Sequence, residues 1–229
     1  MTDIMMEEAL VKNLYTLSET LAGDYLSGFD YPWEALSGIG ELIKELSRSL
    51  DMSLYEDRGD HVFIARSAKI WDLNTITGPC IIGENTEVRP GAFIRGKALV
   101  GNDCVVGNST ELKNVILFNH VQVPHYNYVG DSILGFYSHM GAGSITSNVK
   151  SDKQLVTVKD RHGNRIETGL KKFGAMLGDH VEVGCNTVLN PGTVVGKNTN
   201  IYPTSCVRGV IPADSIYKNQ ETVVLRKKD

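Results

Sequence analysis

The chain has 229 residues, 41% of them hydrophobic, and a formal net charge of −4, enough for one substantial core or a core with a small satellite. Basic residues do not outnumber acidic ones and form no long run, which excludes a nucleic-acid-binding surface as the main feature. No apolar stretch approaches the roughly 20 residues that cross a bilayer, and the acidic segment at 1–8 lacks the order of a secretory leader, so a cytoplasmic protein without membrane contact is expected.

In chain order, residues 1–54 read as a helical cap. Leu10, Leu14, Leu17 and Leu21 predict one amphipathic helix. A second starts at Pro32, a favourable first-turn residue, and carries Leu36, Ile39, Ile43, Leu46 and Leu50 on one face. Phe29, Tyr31 and Trp33 stand between them, and the pair is expected to close an open end of the next domain or to pack against it.

From Ile64 a hexapeptide period begins: Ile64, Ile70, Ile76, Ile82, Val88, Ile94, Val100, Val106, Leu112 and Phe118. It resumes at Leu177 and runs through Val183, Leu189, Val195, Ile201 and Val207. A small residue usually follows four places later (Ala68, Cys80, Thr86, Ala92, Ala98), and glycine often follows the aliphatic residue directly. A period of six suits neither a helix nor simple strand alternation. It suits short strands joined by tight corners, three sides to a triangular coil, with coils stacked at about 4.8 Å. The prediction is an all-β solenoid over 55–212.

Residues 149–172 leave the period. Gln154–Val158, a turn at 160–164 and Arg165–Thr168 predict an inserted β-hairpin. Its Lys150, Lys153, Lys159, Arg161 and Arg165 make it basic, and it is expected to close over a phosphate-bearing ligand. Residues 213–229 are read as a short basic tail. The cysteines Cys80, Cys104, Cys185 and Cys206 show no C-x-x-C spacing and are read as free thiols, with no metal expected.

The stretches Val88-Arg-Pro-Gly-Ala92, Val106-Gly-Asn-Ser-Thr-Glu-Leu-Lys113, Pro124-His-Tyr-Asn-Tyr-Val-Gly-Asp131 and Met140-Gly-Ala-Gly-Ser-Ile-Thr-Ser-Asn148 are more specific than a scaffold requires. In this order they resemble the acetyltransferase domain of bacterial N-acetylglucosamine-1-phosphate uridyltransferases, which are hexapeptide-repeat acyltransferases. The resemblance covers about 76–210 and includes neither the N-terminal helices nor the long hairpin. It implies a left-handed parallel β-helix, a homotrimer, acetyl-CoA as co-substrate and a phosphorylated or nucleotide-linked amino sugar as small-molecule acceptor. It implies His125 as general base on the amine, a role that imidazole suits near neutral pH. Arg89 and Lys113 match phosphate ligands, and Tyr128, His139 and Asn148 match sugar-contacting positions. Ala142, Cys185 and Lys153 match contacts to acetyl-CoA. His139 and Val149 stand where that family usually has Asn and Tyr, so the acceptor sugar stays open.

Two other readings are weighed. His120-x4-His125 has the spacing of two zinc ligands in γ-carbonic anhydrases, but no third histidine lies a coil or two upstream. A non-catalytic trimer paired with a separate nucleotidyltransferase chain is the second; the combination of His125, Arg89 and Lys113 speaks against it.

Overall fold

The computed structural model describes residues 6–219 and 222–225. The hexapeptide period folds as a left-handed parallel β-helix whose three faces are ladders of short strands. Inward columns run along each face. On the first they are Ile64, Ile82, Val100, Leu117, Leu134, Leu177, Val195 and Ile211. The second face aligns Ile70, Val88, Val106, Val123, Met140, Val183, Ile201 and Tyr217. The third aligns Ile76, Ile94, Leu112, Val129, Thr146, Leu189 and Val207.

The period breaks for a definite reason. Val100 pairs with Leu117 and Leu117 with Leu134, so one residue is dropped on entry to the first face in each of these two coils. Phe118, the tenth hexapeptide position, therefore lies just past the inward column. It is still buried, because its ring packs against Tyr15 with centroids 5.0 Å apart. Corners are turned by residues in the left-handed region, among them Asn85, Asp103, Asn186 and Asn198, types that tolerate positive φ. Stacking also continues beyond 212: Ile216 pairs with Asn200, and Ser215–Asn219 then turns back antiparallel onto Thr222–Leu225. The basic residues expected at 226–228 lie outside the described residues.

The first face is apolar on both sides. Its outward row, Ile81, Leu99, Ile116, Ile133, Met176 and Val194, is almost completely buried. The N-terminal segment covers much of it: helix Ile39–Ser47 and the Pro32–Gly38 turn pack on its strands rather than across an open end. Pro32 does open that turn, and Leu36, Ile39 and Ile43 are buried. The single helix expected over Leu10–Leu21 is instead the short helix Val11–Leu14, a turn at Leu17–Glu19 and the helix Gly23–Ser27. The break falls at Thr16, whose N–H and hydroxyl both donate to the Asp179 carboxylate at 2.8 Å, tying the segment to the β-helix. Tyr15 Oη donates to the Ile133 carbonyl, and Asn114 Nδ2 to that of Leu36.

The insertion is a hairpin, Thr157–Lys159 against Arg165–Glu167. Its neck closes where the Phe173 N–H donates to the Asn148 carbonyl at 3.0 Å. Val156 and Val158 are fully buried. Gly192 and Gly209, both at positive φ, permit the approach: a Cβ on Gly192 would stand 2.8 Å from Val156 Cγ1. Trp33 stacks on Phe173 at 5.6 Å and joins helical segment to hairpin. Among the described residues, no helix is long and apolar enough to cross a membrane.

Because the outward row of the first face is core, Ile133→Ala should lower unfolding free energy by about 2–5 kcal/mol, the usual cost of a cavity at a buried aliphatic residue. Urea denaturation checks this, and a solvent-facing Ile would show almost no change. Burial also pushes the Cys80 and Cys104 thiols up to about 12. A thiol reagent should therefore modify at most Cys185 and Cys206 in native protein, and Cys80 and Cys104 only on unfolding.

Candidate active site

The ladders decide which sequence-predicted residues meet. At the corner between the second and third faces, Asn108, His125, Ala142 and Cys185 stack in successive coils. The linking bonds are Tyr126 N–H to the Asn108 carbonyl at 2.9 Å, Gly143 to His125 at 3.0 Å and Asn186 to Ala142 at 2.8 Å. His125 is exposed, while its backbone is pinned from inside the corner. Asn127, 2% exposed, accepts the His125 N–H at 3.0 Å and donates to the Gly141 and Ser144 carbonyls at 2.9 and 3.1 Å. The neighbours above His125 are small, Gly141-Ala142-Gly143 and then Gly184-Cys185, so no bulky side chain stands over the imidazole along this edge. The base candidate and two of the three coenzyme-contact candidates thus share one edge.

A second cluster stands on the third face. Lys113 Nζ donates to both oxygens of the Asp131 carboxylate at 2.9 and 3.0 Å. Asn114 and Asn148 donate to the same carboxylate at 2.9 and 2.6 Å. Asp131 is 4% exposed, and these three donors satisfy a buried anion. Asn148 Nδ2 also donates to Tyr128 Oη at 3.1 Å. Tyr128 lies back over Gly130, where a Cβ would collide with its hydroxyl. Burial, reinforced by the Asp131 charge, raises the Tyr128 phenol above its ordinary value, which keeps it a neutral hydrogen-bonding group. Lys113, Tyr128 and Asn148 are therefore one unit.

The remaining candidates stand elsewhere. Arg89 is on the second face, with Nε and Nη2 each 3.1 Å from Glu87 Oε2, so within one chain it does not share a face with Lys113. The cation directly below Lys113 in its row is Arg95, one coil away, whose Nη1 is 2.7 Å from Glu111 Oε1. The sequence signal for Arg95 was present: Arg95 precedes Lys113 by 18 residues, one full coil. His139 is also on the second face, with Nδ1 2.8 Å from Glu182 Oε2. Lys153 is an exposed turn residue at positive φ at the start of the insertion. His120 occupies the opposite end of the second face from His125, where it stacks on Tyr137 at 4.4 Å. The two histidines therefore do not converge within one chain. Among the described residues, no three His, Cys, Asp or Glu side chains are grouped to hold a metal ion.

His125 stands just before the corner that Tyr126 turns at positive φ, five residues ahead of Gly130, the ladder partner of Lys113, so His125 and Gly130 lie less than about 16 Å apart at ~3.3 Å per residue. The third-face surface between the His125 corner and Lys113 carries the outward side chains of Tyr128 and Glu111. If Asp131 organises this cluster, Asp131→Ala should destabilise the protein by about 1–3 kcal/mol, the penalty for unpaired buried donors, as read by denaturant unfolding.

Over residues 76–224 the sequence matches the family described as the GMPPB C-terminal domain. It is similar to the bifunctional protein GlmU of Methanococcus vannielii, 31% identical over 248 residues, covering 98% of this chain and 55% of that protein. It is also similar to a bifunctional sugar-1-phosphate nucleotidylyltransferase/acetyltransferase of Sulfurisphaera tokodaii, 30% identical over 175 residues, 69% of this chain and 43% of that one. A solved putative acetyltransferase of Bacillus cereus is 18% identical with a TM-score of 0.42, covering 75% of this chain and 81% of its own. The chain spans about half the length of the curated relatives it matches. With that match running along most of its β-helix, the chain belongs to the GMPPB C-terminal domain family.

Proposed function

We propose that the protein transfers the acetyl group of acetyl-CoA to the amine of a phosphorylated or nucleotide-linked amino sugar. The observation that carries this is the stacking of His125, Ala142 and Cys185 on one corner, beside a face holding Tyr128, Lys113 and Arg95. The relatives it resembles, bifunctional GlmU and a bifunctional sugar-1-phosphate nucleotidylyltransferase/acetyltransferase, agree with it.

In this reading the pantetheine arm lies along the small-residue edge and the sugar lies across Tyr128. His125 accepts a proton as the amine attacks the thioester carbonyl. The tetrahedral intermediate collapses to the amide, the C–S bond breaks, and the departing thiolate takes a proton from the imidazolium. Arg95 and Lys113 face the acceptor phosphate. Each is already held by a carboxylate, which fixes its position before substrate arrives. Since the helical segment and hairpin cover much of the first face, the second and third faces remain for neighbours in a homotrimer. In such an assembly a partner's wall completes the site beside His125.

A second reading, a non-catalytic trimeric partner of a sugar nucleotidyltransferase, has one observation in its favour: Arg89, Arg95, Lys113 and His139 all pair with carboxylates inside the chain. One experiment separates the two. Thiol release from acetyl-CoA with a panel of amino sugar phosphates and nucleotide amino sugars should fall about 10²–10⁴-fold in His125→Ala, the usual contribution of a general base. Arg95→Ala should raise the KM for the acceptor more than Arg89→Ala does. If wild type and His125→Ala give the same background with every amine, the non-catalytic reading stands instead.

A further inference from the structure

A cleft of about 1160 Å³ lies between the inserted hairpin and the last coils of the β-helix, and His125 is not part of its lining. Five cations, Lys150, Lys159, Arg161, Arg165 and Arg208, face it against two carboxylates, Asp152 and Asp160, in a chain whose net charge is −4. Neither carboxylate neutralises the centre of the cleft. Asp152 pairs with Lys150 at 3.3 Å at the neck. Asp160 is committed to the hairpin turn, accepting from the N–H groups of His162 and Asn164 and from Asn164 Nδ2 at 2.7–2.8 Å.

Lys159 and Arg165 are direct cross-strand partners. Like charges directly opposite one another in a ladder weaken a hairpin. Glu167 does not relieve them, because it is turned to the Thr157 hydroxyl at 3.0 Å. Among the described residues, no ion pair holds Lys159, Arg165 or Arg208. Arg208 approaches from the opposite wall, as the upper end of the row that contains Arg95, Lys113, Ser147 and Asn190. The floor between these walls is apolar, with Val210, Tyr217 and Val223.

We propose that this cleft binds the phosphates of a nucleotide, with Lys159 and Arg165 on one wall, Arg208 on the other and the base against the apolar floor. Two cations facing a third across a gap suit a ligand with two phosphate groups better than a single phosphate. The chemistry is shared by the adenosine 3′,5′-bisphosphate part of the acyl donor and by the diphosphate of a nucleotide-linked acceptor. The choice between these rests on the transferase reading; the existence of the site does not.

The test is calorimetric titration of the full chain with adenosine 3′,5′-bisphosphate, with UDP and with inorganic phosphate, on wild type and on the K159A/R165A variant. At least one nucleotide should bind wild type more tightly than inorganic phosphate does. The variant should lose at least tenfold in affinity while its Tm stays level or rises, since a repulsive pair has been removed. Preference for the bisphosphate assigns the cleft to the donor, and preference for UDP assigns it to the acceptor. Failure of both nucleotides to saturate wild type, or undiminished binding by the variant, overturns the proposal. His125→Ala should bind as wild type does, so a dead cleft and a dead transferase are told apart.

Discussion

The demand that one side chain, aliphatic at nearly every position, enter a narrow core on each side of each coil governs this molecule. Strands two to four residues long cannot hold register alone. They are held by inward columns and by backbone hydrogen bonds to the coils on either side, at a spacing of about 4.8 Å. Once that register is set, a residue's place in its coil decides its face and its neighbours. Chemistry on such a scaffold is therefore read vertically, along columns, rather than along the chain.

The faces divide the work. The first is apolar outside as well as inside, so it needs a cover, and the N-terminal segment and the hairpin provide it. The second and third keep polar outer rows and meet at the His125 corner. The two shortened coils bear on the proposed site. By dropping one residue each, they bring Gly130 into register above Lys113 and leave Asp131 at the corner where Lys113, Asn114 and Asn148 converge on it. Asp131 is the buried charge that ties Lys113, Asn114 and Asn148 into one arrangement.

The inward columns were plain in the sequence because a six-residue aliphatic period is visible without knowing the coil. The outward stripe of the first face was equally present, as apolar runs such as Cys80-Ile-Ile82 and Ala98-Leu-Val100 at one side in three. Such a run hides a face buried from both directions, which is why the helices read as an end cap. Arg89 matches a phosphate ligand only through the resemblance carried by Val88-Arg-Pro-Gly-Ala92, whereas the face a residue occupies follows from its spacing to Lys113. Arg95, one coil from Lys113, satisfies the geometry that Arg89 does not. The His125, Ala142 and Cys185 column was obscured for a different reason: shortened coils and the 149–172 insertion give these residues unequal spacings for equal vertical steps.

The most direct measurement is a crystal structure of the protein with CoA and an amino sugar phosphate bound together. The proposed arrangement places the sugar amine within about 3.2 Å of the His125 imidazole, a hydrogen-bonding distance. The acceptor phosphate then lies against Arg95 and Lys113, with the pantetheine arm beside Ala142 and Cys185. An acceptor phosphate on Arg89, or a sugar whose amine lies away from the His125 corner, contradicts it.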